Sequence, residues 1–152
     1  MTNGILKVVE EEEGVLRNLP IEVITKRRNC QNRTIKQIVG HLIDSASNNQ
    51  QRMVRLQYSK HLLVFPDYRQ DNDLWIALQD YQDEDWNELV SLWKYYNLHI
   101  VHLIKAVDNS KLDSYWCDFE GTKVTLKEMI DGYLDHLNLH IKEIHQLIDG
   151  VA

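Results

Sequence analysis

The sequence predicts an all-α domain, a four-helix bundle with longer connections and one short extra helix, and it predicts that residues 1–152 form one unit. Three observations carry this. The length of 152 residues matches one domain of ordinary size. Glycine (6) and proline (2) are scarce; average usage would supply roughly 18 of the two together, and a sandwich or barrel needs many turns. Apolar residues also recur at helical spacing over four long stretches.

The first stretch, about 3–19, places Ile5, Val8, Val9, Val15, Leu16 and Leu19 on one side and the Glu10–Glu13 run on a solvated face. Pro20 closes it, because the residue before a proline is pushed out of the α region. A basic connection follows, with Lys26, Arg27, Arg28 and Arg33. The second stretch opens on a capping box, Thr34-Ile35-Lys36-Gln37, in which hydroxyl and amide side chains each satisfy an orphan backbone N–H. Ile35, Ile38, Val39, Leu42, Ile43, Ala46, Met53 and Leu56 then form its stripe. Gly40 in mid-helix costs about 1 kcal/mol against alanine unless it serves packing or a close approach.

Residues 57–83 form a long connection holding Pro66, several tyrosines and a short helix near Asp71–Gln79 that carries Trp75. The third stretch, about 84–107, aligns Trp86, Leu89, Val90, Trp93, Ile100, Ile104 and Val107. A second connection, 108–124, includes the run Tyr115–Gly121, a turn of hairpin character. The fourth stretch opens on another capping box, Thr125-Leu126-Lys127-Glu128, and continues through Met129, Ile130, Tyr133, Leu134, Leu137, Ile141, Ile144, Leu147 and Ile148.

Composition narrows the functional classes. The charge of −6, from 17 basic and 23 acidic side chains, disfavours nucleic acid as a partner. No stretch approaches the ~18 apolar residues of a membrane span. Residues 1–13 have neither the basic start nor the apolar run of a signal peptide. Two cysteines, Cys30 and Cys117, are too few for a disulfide scaffold, so the expected setting is the reducing cytoplasm.

The chemistry lies in seven histidines. His136 and His140 fall inside the apolar face of the fourth helix, four residues apart, so both rings can converge on one point. Two imidazoles meeting in a dry interior are costly unless something occupies the space between them, and a divalent metal does so well. A pair of structural histidines is the plainer alternative. His99, His102, His145 and His61 read as surface or boundary residues. His41 flanks the stripe of the second helix in a row with Ser45, Asn48 and Arg52, which is either a pocket lining or a solvent boundary.

These residues resemble the DinB/YfiT-like superfamily of four-helix bundles, regarded as metalloenzymes. The shared pattern is a histidine early in the second helix, here within Thr34–Ser45, and a His-x-x-x-His in the last helix, here His136 and His140. The resemblance covers nearly the whole chain. It implies a three-histidine metal site at His41, His136 and His140, a small-molecule substrate, a homodimer, and either thiol-dependent transfer using a low-molecular-weight thiol or hydrolysis.

Three neutral histidines would leave a divalent ion its full charge and an open position, the arrangement of catalytic sites. Zinc, nickel, iron and manganese all remain candidates for such a donor set. An open metal can acidify a bound water to a pKa of ~7 or hold a thiol as its reactive thiolate. Around the site, Asn97 sits at the centre of the third helix's apolar face, where a buried amide either orients a ligand or bonds backbone. Asn48 and Arg52 are candidates for an anionic substrate group, against a surface salt bridge. Tyr133, one turn before His136, and Glu143, three residues beyond His140, are further pocket candidates. Trp75 and Trp116 either cap a pocket mouth or pack. Competing with an enzyme are a metal- or ligand-binding stress protein without turnover and a dimerising helical module. The apolar Leu139 on a polar side hints at an interface.

Overall fold

The computed structural model describes residues 1–64, 71–118 and 120–151. Pro66 and Phe119, parts of the two predicted connections, lie outside the described residues. The described residues form six α-helices: α1 (Thr2–Arg17), α2 (Ile21–Lys26), α3 (Ile35–Tyr58), α4 (Asn72–Gln79), α5 (Trp86–Ala106) and α6 (Leu126–Asp149). A small sheet joins β1 (Leu63–Val64), β2 (Tyr115–Cys117) and β3 (Lys123–Thr125).

Local chemistry sets the ends of the long helices. Both predicted capping boxes form, Thr34 with Gln37 at α3 and Thr125 with Glu128 at α6. Asp71 and Asp85 cap α4 and α5 by accepting from the backbone of Leu74 and Glu88. Helix α6 ends where Gly150 adopts φ 74°, a left-handed conformation that glycine takes without a Cβ penalty. Arg27 then donates from Nη1 to the carbonyls of Leu147 and Ile148, at 2.7 and 2.6 Å, placing a cation on the negative end of the helix.

The four long helices close a ring in which α1 packs on α5, α5 on α3, α3 on α6 and α6 on α1. Their directions follow from which ends meet. Trp86 at the start of α5 donates to the Leu16 carbonyl at the end of α1, so those two are antiparallel. Gln82 bonds Thr34, and Gln57 bonds the Asp108 amide, so α3 and α5 run parallel. Met53, near the end of α3, packs with Leu126 and Met129 at the start of α6. Parallel neighbours need a connection that returns the length of the bundle, and the segment between α3 and α5, which carries α4, does this. The main core joins all four long helices through Ile5, Leu16, Ile38, Leu89, Trp93, Ile100 and Ile144. A second cluster, Met53, Leu56, Trp116, Leu126, Met129 and Ile130, fills the end beneath the sheet.

Two features depart from the sequence expectation. The basic connection after Pro20 contains α2, and Pro20 serves as its N-cap residue with φ −63°. Hairpin character was expected over Tyr115–Gly121; the strands that pair antiparallel are β2 and β3, and β1 adds to them in parallel, pairing Leu63 with Trp116. No described helix is long and apolar enough to cross a membrane.

Candidate metal centre

His41 projects from the second turn of α3, and His136 and His140 from consecutive turns of α6. Ring nitrogens of the three lie within 4.8 Å of one another. The ring centroids are 4.6 Å apart for His136 and His140, 4.8 Å for His41 and His140, and 5.6 Å for His41 and His136. His41 and His140 are buried and His136 is half-buried. The cluster forms because α3 and α6 are antiparallel neighbours.

Hydrogen bonds at the far side of two rings set their orientation. Glu143 Oε2 lies 3.0 Å from His140 Nδ1, and a carboxylate only accepts, so Nδ1 is the donor in this pair while Nε2 faces His136. The Asn29 amide donates to the same carboxylate oxygen at 3.4 Å. Ser45 Oγ lies 3.3 Å from His136 Nδ1. The two Nε2 atoms then face each other at 3.2 Å. Two nitrogens bound to one tetrahedral zinc at 2.0–2.1 Å would sit about 3.3 Å apart, so this pair has the spacing of co-ligands. His41 Nδ1 is buried with no hydrogen-bond partner among the described residues, an unsatisfied donor or acceptor on the third ring. The residues present therefore fit a divalent ion.

Burial, above all, drives the His41 pKa down to about 3, helped by repulsion from His140, His136 and Arg33. Burial and the His140 charge likewise lower His136 to about 4. Both rings are neutral at physiological pH, the state that ligates metal. In the metal-free protein the same shifts tie stability to pH. An unfolded histidine binds its proton near pH 6.5, whereas these two bind theirs only near pH 3–4. Stability contributed by the neutral rings is therefore present above pH 6.5 and is lost as pH falls toward 4. The urea midpoint of metal-free protein should drop between pH 7 and pH 4, and drop less in His41→Gln; equal drops in the two proteins would contradict this.

A groove of about 460 Å³ opens beside the histidines between α3 and α6. The α3 row of His41, Ser45, Asn48 and Arg52 lines it, so that row faces a pocket. Arg52 is 6 % exposed, and its guanidinium lies 4.9 Å from the Trp116 ring centroid. Tyr133 lines the groove from α6, its phenol donating to Asn97 Oδ1 at 2.9 Å; burial raises the Tyr133 pKa and keeps it neutral. Asn97 does not line the groove. Its amide donates to the Trp93 carbonyl at 2.8 Å, so it holds Tyr133 and backbone. Glu143 also stands outside the groove lining and reaches it through His140.

Trp116 is fully buried and lines the groove, whereas Trp75 is exposed and does not. Leu139 is 54 % exposed at the groove's edge. His61, His99 and His102 are exposed, and His145 pairs with Glu12 on α1 at 2.9 Å. Periodicity did not single out Gln31, Arg33 and Asn72, which line the groove from loop and helix-end positions. The only signal for Arg33 was its place in the basic connection.

A bundle of this connectivity shares its fold with a solved four-helix bundle. YfiT from Bacillus subtilis, described as a probable metal-dependent hydrolase with an unusual four-helix bundle topology, superposes with a TM-score of 0.78. The two are 19% identical, and the match covers 96% of this chain and 85% of that one. No protein-family model matches the chain. No curated protein matches it in sequence. The resemblance read from the sequence thus holds at the level of the fold.

Proposed function

We propose that this chain is a metal-dependent enzyme acting on a small molecule, with His41, His136 and His140 as the ligands of one divalent ion. The observation that carries the reading is the convergence of three imidazole nitrogens at the side of a groove of metabolite size. A divalent ion bound there supplies Lewis-acid polarisation and acidification of a bound water or thiol. The chain's own residues do the rest. Glu143 and Ser45 fix the rings of His140 and His136, which is how ligand orientation is held in metal sites. Asn48, Arg52 and Tyr133 line the groove where a substrate would lie, and Trp116 closes one side of it.

Hydrolysis is the first reading of the reaction, by analogy with the described character of YfiT. Thiol-dependent transfer is the second, supported by a groove volume of about 460 Å³ that has room for a small thiol beside an electrophile. The test is turnover by zinc-, nickel-, iron- or manganese-loaded protein of an activated ester and, separately, of 1-chloro-2,4-dinitrobenzene with cysteine or glutathione. Chelator-sensitive ester cleavage supports hydrolysis, and chelator-sensitive thiol consumption supports transfer. Binding of metal without either turnover, across a broad substrate panel, would overturn the enzymatic reading.

A further inference from the structure

Two of the three charged side chains that line the groove, the histidines apart, are basic, in a chain that is acidic overall. The chain has a net charge of −6, yet the charged side chains lining the groove among the described residues, the histidines apart, are Arg33, Arg52 and Glu128. Glu128 is engaged in the capping box of α6, accepting from the Thr125 amide and hydroxyl at 2.8 Å. Arg33 stands beside the histidine cluster, near enough for its charge to oppose protonation of His41.

Arg33 is held in a particular way. Its side chain is 9% exposed and reaches Asp73, on the first turn of α4, whose side chain is 75% exposed. Arg33 Nε and Nη2 both converge on the same oxygen, Asp73 Oδ1, at 2.9 and 2.8 Å. A guanidinium normally meets a carboxylate through two parallel bonds to two oxygens. Here the fork is incompletely used, and Nη1 has no hydrogen-bond partner among the described residues. A largely exposed carboxylate gains little from such a pairing, because water competes for it. Asn72, next to Asp73, and Gln31 also line the groove and add amide side chains to it.

We propose that Arg33 is the anion-binding residue of the groove, that its ligand is the carboxylate or phosphate of a small molecule whose reactive group lies at the three histidines, and that Asp73 occupies the same guanidinium as an internal competitor. This rests on the groove being the substrate site. It goes further by assigning the substrate an oxyanion and assigning Asp73 the opposing role.

The test uses the full-length protein, both metal-free and zinc-loaded, titrated calorimetrically with succinate, with inorganic phosphate and with the neutral succinamide. Elemental analysis of each sample reports metal separately, so failure of the metal site and failure of the anion site are distinguishable. In metal-free protein, succinate or phosphate should bind at least tenfold more tightly than succinamide; which of the two wins identifies carboxylate or phosphate. Arg33→Gln should lose that preference, and Arg33→Lys should retain part of it. Asp73→Asn should tighten anion binding several-fold, an effect that damage to the fold would not produce. Equal binding of succinate and succinamide, no anion binding at all, or weaker anion binding in Asp73→Asn would overturn the proposal.

Discussion

His140→Ala protein, loaded with zinc and desalted, should retain almost no metal, whereas the parent protein retains close to one ion per chain. His140 stands at the centre of the cluster. Its ring centroid is the nearer of the two α6 rings to His41, and its Nε2 faces His136 Nε2 at 3.2 Å. Its other nitrogen is bonded to Glu143. Alanine would remove a proposed ligand and leave that carboxylate without its histidine. Disturbing only a partner of a ligand costs about 10–100-fold in metal affinity, so losing the ligand itself should cost more than about 100-fold. Elemental analysis after desalting reads this directly, and circular dichroism checks that the helices persist. Full metal content in the variant would remove His140 from the site.

The largest expected stability effect is at Gly40, which faces Tyr81 in the α4–α5 connection. A Cβ built at position 40 would stand 2.2 Å from Tyr81 Cδ2 and 2.4 Å from Cγ. Tyr81 is 3% exposed, and its hydroxyl donates to Asp44 Oδ1 at 2.6 Å. The ring cannot retreat without giving up that bond. Gln79 donates to the same oxygen at 2.7 Å, and burial raises the Asp44 pKa. Overpacking costs about 1–3 kcal/mol, and a lost hydrogen bond to a buried carboxylate costs about 1.5–3 kcal/mol more. The helix propensity of alanine returns only about 1 kcal/mol. Gly40→Ala should therefore lose about 1.5–5 kcal/mol, lowering Tm by roughly 3–20 °C in a chain of this size. The penalty should shrink in a Tyr81→Ala background, as a double-mutant cycle requires of residues in contact. An unchanged or raised Tm for Gly40→Ala would show that Tyr81 moves aside at no cost.

Gly40 also marks where local sequence stops being informative. A glycine inside a strong helical stripe signals a close approach, but not which residue approaches. The long helices were legible because each carries a 3.6-residue apolar period and two of them carry capping boxes that form as written. Helix α2 was not, since six residues are too few to show a period and Pro20 reads equally as a terminator or an N-cap. The pairing of β1 with β2 joins Leu63 to Trp116 across the whole of α5, with nothing local to announce it.

The same division runs through the site. His136 and His140 could be placed together from spacing alone, since one helix carries both. Bringing His41 to them requires the packing of α3 on α6, and the family resemblance supplied what periodicity lacked. Asp44 lies one turn from His41 and periodicity did not single it out; it is 3% exposed, bonded by Tyr81 and Gln79 from another part of the chain. Arg33, Asn72 and Asn29 stand outside the long periodic stretches, and only tertiary folding brings them to the groove or to Glu143.

The claim that His41, His136 and His140 together hold one metal is tested most directly by X-ray absorption at the zinc edge of the reconstituted protein. The structure predicts three imidazole nitrogens at about 2.0–2.1 Å, with the remaining coordination made up by a light atom from solvent. A first shell containing sulfur at about 2.3 Å, or fewer than three imidazoles, would contradict it and place the ion elsewhere in the protein.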